Sequence, residues 1–181
     1  MVDSAITKVT TEQFLQLPET TVPTELIAGE IIVSPTPSIL HQRLVFKLAK
    51  LIDAVIPDGE VIIAPMDVLL DEENVVQPDV FWVSANGLAL ADGTKYFRGA
   101  PDLVVEILSP STTRRDRDAK FRLYERFGVR EYWLVDPVAE LIEVYRLVNG
   151  NFERAGFYGK GETLTTPTLN GAAISMDAVF G

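Results

Sequence analysis

Cysteine is absent from the 181 residues, which removes disulfides and cysteine-based zinc sites from consideration and points weakly to a reducing compartment. Histidine is nearly absent too. The single His41 cannot build a typical zinc site in a chain without thiols. No apolar run approaches the length of a membrane span, and no basic segment leads into a long apolar stretch near the N-terminus. The expectation is a soluble cytoplasmic protein with no membrane partner. Positive charge is also short: 16 Lys and Arg stand against 26 Asp and Glu, a formal net charge of −10. That balance argues against broad, charge-driven binding of nucleic acid.

What remains is an ordinary globular composition, 47% hydrophobic and 23% charged, at a length that suits one domain with a proper core. No internal repeat or low-complexity linker divides it, so residues 1–181 read as a single domain. Its core spans about 25–137, and a C-terminal hairpin region follows over 138–181. Charge is uneven along the chain. Residues 113–131 hold seven basic against four acidic residues, either a solvated helix laced with ion pairs or a face that meets phosphate.

The stretch 99–137 reads as strand, polar turn, helix, strand. Along Pro101 to Leu108, Asp102, Val104, Glu106 and Leu108 share one face of a period-two strand, and Leu103, Val105 and Ile107 share the other. Ser109 to Thr113 ends the strand and offers helix caps. A helix is expected over Asp116–Phe127 with Gly128 as its stop, then a strand over Arg130–Val135 closed by Asp136-Pro137. Glu106 is the oddity, because a carboxylate inside an apolar strand is costly to bury unless paired, protonated or on a metal.

Upstream, Thr10 to Leu15 predicts a short capped helix, and Glu25 to Ser34 a strand pair turning at Ala28-Gly29. A longer helix begins after Ser38, with Leu40, Leu44, Leu48 and Leu51 on one stripe and His41 in its first turn. Pro57-Asp58-Gly59 predicts a turn, followed by strands over 60–64 and 66–70, a hairpin tip at Asp71 to Asn74, and one strand over Val75–Val83 that carries a second acid, Asp79. Residues 84–98 read as a loop with a short helix. Asn149-Gly150 marks a hairpin between 140–147 and 152–158, and Met176 to Phe180 a last helical turn. The order predicts an α/β (α+β) domain, a central mixed sheet flanked by helices with extra β-hairpins. Val104 to Val135 has the form of a parallel crossover.

Asp79, Glu106 and Lys120 form the chemical constellation. Two carboxylates on neighbouring strands suit a hard divalent cation, magnesium or manganese, whose remaining positions go to a carbonyl and waters. A lysine beside such a centre stabilises developing phosphorane charge. Asp116, Lys120 and Tyr124 recur at four-residue spacing on one helix face. Each has a plainer alternative. Glu106 could pair with Arg122, Asp79 could be a turn acid after Pro78, and Lys120 could pair with Asp116. His41 could lie on a surface, Tyr124 could pack, and Ser109 and Ser111 could serve the turn. Asp102 shares a face with Glu106 but lies roughly 13 Å away along the strand, too far to share a metal.

Gln77 to Val80, Pro101 to Thr112, Asp116 to Lys120, Tyr124 and Gly128 to Pro137, with weaker matches at Glu25 to Glu30 and His41, resemble the bacterial family of putative restriction endonucleases in the PD-(D/E)XK nuclease superfamily. The resemblance covers roughly residues 10–178, and its run from Pro101 to Pro137 is specific. It implies a restriction-endonuclease-like core and metal-dependent phosphodiester hydrolysis of DNA at Asp79 and Glu106. It also implies a catalytic Lys120, displaced onto the helix because Leu108 occupies the usual strand position. Glu30, His41, Asp116 and Tyr124 are auxiliary candidates. A nuclease fold without catalysis, serving nucleic-acid binding or regulation, is the alternative function. A structural protein whose acids are merely paired is a third. A homodimer through the sheet edges and the apolar segments 132–135 and 141–145 is a further expectation.

Overall fold

The run from Val75 to Val83 is divided between two sheets because Pro78 interrupts it. The computed structural model describes residues 8–56, 58–88 and 95–181. Pro57 and residues 89–94 of the expected loop lie outside them. The expected single strand over 75–83 is instead two. β5 (Asn74–Val76) belongs to one sheet and β6 (Val80–Val83) to another. Pro78 has no N–H for a ladder, so the chain crosses between sheets at Gln77-Pro78-Asp79. Asp79 therefore sits just before β6 rather than inside a strand.

The five-stranded sheet holds β1 (Thr24–Ile27), β2 (Glu30–Val33), β4 (Val68–Asp71), β5 and β7 (Phe97–Arg98) in the order β2-β1-β5-β4-β7. Ala28 and Gly29 turn β1 into β2 with φ of +51° and +79°, the doubly left-handed geometry of a tight hairpin. The six-stranded sheet runs β11-β10-β9-β8-β6-β3. Its other members are β3 (Glu60–Ile63), β8 (Leu103–Ile107), β9 (Glu131–Asp136), β10 (Leu141–Val148) and β11 (Asn151–Gly159). β8 and β9 pair in parallel, as the crossover pattern predicts, and the other pairs are antiparallel, so the sheet is mixed. The β10–β11 hairpin, turned at Asn149-Gly150, extends this sheet rather than decorating it.

Helices and the second sheet cover its two faces. On one, Leu44, Val45, Leu48 and Ile52 of α2 (Ile39–Asp53) pack with Val80, Trp82, Val105, Trp133 and Val135, joined by Met176 and Val179 of α6 (Met176–Phe180). The predicted stripe on α2 holds at its centre, although Leu40 is exposed. On the other face, Phe81, Val104, Leu108 and Leu134 meet Leu123 and Tyr124 of α5 (Phe121–Phe127) and Ile27, Val68 and Val76 of the second sheet. α1 (Thr11–Leu15), capped by Thr10 and Gln13, lays Phe14 on the outer side of that second sheet. The short α3 (Ala85–Leu88) follows β6, and β12 (Thr163–Thr166) pairs with β13 (Ala172–Ser175), a hairpin the sequence did not signal.

The helix expected over 116–127 begins earlier and is not uniform. It runs as α4 (Thr113–Arg115), a π-helical turn over Asp116–Lys120, and α5, ended by Gly128 at φ +82°. The Ser109–Thr113 segment supplies no side-chain cap, and the Thr113 N–H and hydroxyl both donate to the Ser109 carbonyl. The apolar segments expected to form a homodimer are interior strands. Tyr132 to Val135, Ile142 and Val144 are buried in the central sheet, so any contact between copies through sheet must use an edge strand. Among the described residues no helix is long and apolar enough to cross a membrane.

Candidate active site

Glu106 lies near the end of β8, a five-residue strand buried throughout. Its face is shared with Val104 and Leu108, as the alternation predicts, so the carboxylate points under α5 and away from solvent. Three elements converge on it. The π-helical turn delivers Lys120, whose Nζ donates to Glu106 Oε1 at 2.8 Å. Tyr124, four residues on, donates its hydroxyl to the same oxygen at 2.8 Å. β1 brings Glu25, whose Oε1 lies 2.7 Å from Lys120 Nζ and also accepts the Gln77 N–H at 2.8 Å. A widened turn is a common helical irregularity at functional sites. Here Asp116 and Lys120 are the two buried residues of that turn.

Asp79 enters from the sheet crossing. Val80 pairs with Val105, and continuing that antiparallel register sets Asp79 opposite Glu106. Its Oδ2 accepts the Ile107 N–H at 2.7 Å and lies 3.1 Å from His41 Nε2. His41 occupies the first turn of α2 because Ser38 caps that helix, accepting the His41 N–H. Depth divides the group. Glu25, Glu106, Asp116 and Lys120 are each 2–3% exposed. The side chains of Asp79 and His41 are 17% and 14% exposed and form the rim.

The charges do not balance locally. Glu25, Asp79, Glu106 and Asp116 gather around one ammonium, the Arg115 guanidinium and one imidazole. Burial pushes the Glu106 carboxyl up to about 8; Lys120 opposes this, and Asp79, Asp116 and Glu25 add to it. Burial also raises Asp116. Lys120 goes the other way: burial disfavours its charge, but Glu106, Glu25 and Asp116 outweigh that and hold it protonated well above the usual lysine range. His41 is raised because Asp79, helped by Asp116, overcomes the cost of burial. Burial leads the rise of the two acids, and an excess of carboxylate over cation adds to it at Glu106 and outweighs burial at Lys120 and His41. Arg115 partly offsets it, donating to Ser34 Oγ at 2.9 Å and lying 3.6 Å from Glu25. Its Nε is 3.8 Å from Asp116 Oδ1, near enough for attraction but too far for a hydrogen bond. Both of those atoms, and His41 Nδ1, are buried without hydrogen-bond partners.

This donor set fits a magnesium-type ion better than zinc. Magnesium uses one or two carboxylates and keeps several waters. Asp79 and Glu106 would provide the two acids, and the raised Glu106 marks where added positive charge would be favourable. Among the described residues no group of three or more His, Cys, Asp or Glu is spaced to hold a metal by protein atoms alone.

The structure brings Asp79, Glu106, Lys120, Tyr124, His41 and Asp116 together. The alternative pairing of Glu106 with Arg122 is not found: Arg122 pairs with Asp118 at 2.9 Å, one turn away on the helix surface. Nor is Lys120 within ion-pair distance of Asp116; its partners are Glu25 and Glu106. Glu30 does not join them. It is exposed on edge strand β2, with no hydrogen bond or ion pair to the cluster, and Glu25 takes the buried place. The signal for Glu25 was the one used for Glu106, an acid within an apolar strand, but β1 is only four residues long. Arg115 was read as one of a basic run, and nothing in that run distinguished it. Asp102 serves the far end of β8, accepting the Ser84 N–H and pairing with Arg130. Ser109 and Ser111 bond to each other in the turn.

Known proteins share this arrangement of elements. The Uma2 family model, described as "Putative restriction endonuclease", matches residues 11–177. Over 150 residues the chain is 33% identical to the "Uncharacterized protein sll1609" of Synechocystis sp., a span that covers 80% of this chain and 84% of that one. A crystal structure described as a "putative nuclease belonging to DUF820" from Anabaena variabilis matches with a TM-score of 0.79 and 22% identity, covering 95% of this chain and 97% of that one. At that identity the likeness speaks for the fold.

Proposed function

This chain belongs to the Uma2 family of "Putative restriction endonuclease" proteins, and from that premise we propose that it is a metal-dependent endonuclease hydrolysing DNA phosphodiester bonds. The observation that carries the reading is the buried Glu106–Lys120 pair, 2.8 Å apart, set against Asp79 on the neighbouring element. A buried ion pair is poor evidence of stability in itself. Three buried acids gathered around one lysine, with two of the carboxyls raised, are better explained by chemistry.

In this reading Asp79 and Glu106 hold a magnesium or manganese ion. When bound, such an ion polarises a phosphodiester oxygen and lowers the pKa of a bound water. The chain's own groups do the remaining work. The Ile107 N–H fixes the orientation of Asp79 by holding its Oδ2. Tyr124 and Lys120 both hold Glu106 Oε1, which fixes its orientation. Lys120 is itself sealed from solvent and shared with Glu25, so it is a positioning residue that acts through Glu106. Substrate approaches from the side of Asp79 and His41, the least buried members of the group. Hydrolysis forms a bond from the water oxygen to phosphorus, breaks the ester P–O bond and returns a proton to the leaving oxygen.

The test is nicking of supercoiled plasmid with magnesium or manganese, comparing wild type with Asp79→Asn and Glu106→Gln. Metal-dependent nicking that falls at least about a hundredfold in both variants is expected. Equal cutting by all three proteins refutes the assignment of these acids. No cutting by wild type, with metal binding retained in calorimetry, favours the nuclease fold as a nucleic-acid-binding or regulatory module.

A further inference from the structure

Residues 31–52 contain no acid, in a chain with 26 of them and a net charge of −10. This acid-free stretch includes nearly all of α2. On that helix Ile39, Arg43, Phe46 and Lys50 recur at four, three and four residues, which places them on one line within about 60° of arc and about 16 Å long. The line faces outward. Ile39 is 75% and Phe46 66% exposed, and Arg43 and Lys50 are exposed as well. Neither cation has an ion-pair or hydrogen-bond partner among the described residues. Lys47, off this line, is engaged elsewhere and donates to the Val179 carbonyl. The opposite side of the same helix carries the core stripe, and its first turn carries His41 on the rim of the candidate active site.

We infer that the outer face of α2 is a docking track for a single strand of nucleic acid, with a base stacked on Phe46 and backbone phosphates at Arg43 and Lys50. An aromatic platform flanked by unpaired cations is how sequence-tolerant single-strand sites are built. Stacking on Phe46 requires an unpaired base, which selects a single strand over intact duplex. The charge suits a polyanion and disfavours a second copy of this chain. A two-fold contact through this face would set Arg43 and Lys50 against their own equivalents. Nucleic acid as the occupant rests on the nuclease reading, and the track leads toward the helix end that bears His41.

The test is fluorescence anisotropy with a labelled 20-mer oligothymidylate in EDTA, with plasmid nicking in magnesium measured in parallel. Phe46→Ala is expected to weaken binding about tenfold, the scale of one lost base stack. Arg43→Glu and Lys50→Glu are each expected to weaken it and to flatten the salt dependence by about 0.7 in log–log slope per lost phosphate contact. Lys160→Glu, the same charge change on an exposed turn, leaves the affinity unchanged. All four positions are exposed, so the variants keep their fold. Absence of wild-type binding overturns the inference, as does wild-type affinity in the α2 variants. So does a wild-type dimer by light scattering that the α2 variants dissociate. Wild-type cutting with α2 variants that bind normally removes the track and leaves the nuclease reading. Binding that depends on α2 without any cutting does the reverse.

Discussion

Replacing Lys120 with Met removes the ammonium and nearly keeps the volume, so it tests the electrostatics of the buried site with little cavity cost. Lys120 Nζ is 2.8 Å from Glu106 and 2.7 Å from Glu25, all three almost fully buried. At an effective dielectric of about 20, a unit pair at this separation attracts by about 6 kcal/mol, most of which offsets desolvation of the pair. Removing one partner leaves the buried carboxylates without their cation, and the expected loss is about 3–5 kcal/mol at pH 9.5, where the wild-type Glu106 carboxyl is ionised. Against a total stability of about 5–15 kcal/mol, that is a fall in Tm of roughly 6–20 °C for a domain of this size. The pH dependence follows from Glu106, whose carboxyl is already raised from 4.5 to about 8. Without Lys120 it rises further. Between 4.5 and about 8 both folded proteins keep this carboxyl protonated while the unfolded chain ionises, so the variant's deficit is level there; it grows as pH rises through 8, where the wild-type carboxyl ionises beside Lys120 and the variant's does not. Urea denaturation of both proteins in EDTA at pH 6 and pH 9.5 checks this. A deficit below about 1 kcal/mol at pH 9.5, or one equal at the two pH values, refutes the reasoning.

Two further substitutions probe the frame around the site. Gly128 ends α5 at φ +82°, and a Cβ there would meet nothing within 4 Å, so Gly128→Ala costs only the left-handed backbone, about 1 kcal/mol. A change in urea midpoint outside roughly 0.5–2 kcal/mol contradicts this. Glu131 on β9 is fully buried and accepts from Trp133 Nε1 at 2.6 Å, Thr168 Oγ1 at 2.8 Å, Arg146 Nε at 3.2 Å and the Thr166 hydroxyl. Glu131→Ala strands these donors and is expected to cost about 3–5 kcal/mol, with nicking per folded molecule unchanged. An unaltered melting temperature, or activity lost from fully folded protein, counts against this purely architectural role.

The parallel unit β8–α5–β9 was readable because each of its parts announces itself locally. Alternation assigns Glu106 to the face of Val104 and Leu108, Gly128 marks the helix end, and Asp136-Pro137 closes the second strand. The same holds for the Ala28-Gly29 and Asn149-Gly150 hairpins, whose residues suit positive φ. Reading failed where neighbours distant in sequence made the decision. Tyr132 to Val135, read as a strand that could also serve a dimer contact, lies in the middle of the sheet, because β10 and β8 flank β9. Val75 to Val83 looked like one strand, because periodicity does not reveal which sheet each half joins.

The site divides along the same line. Local sequence determined that Asp79 and Glu106 are acids in apolar surroundings and that Asp116, Lys120 and Tyr124 share a helix face, since burial cost and helical period act over a few residues. Only the tertiary structure decided who compensates whom. Glu25 rather than Glu30 shares Lys120, because β1 lies against β5 while β2 is left at the sheet edge. The π-helical turn, Arg115 beside Asp116, and the burial of Lys120 away from solvent are likewise products of packing. Charge compensation is pairwise and falls off within a few ångströms, and the partners come from strands and helices up to about a hundred residues apart.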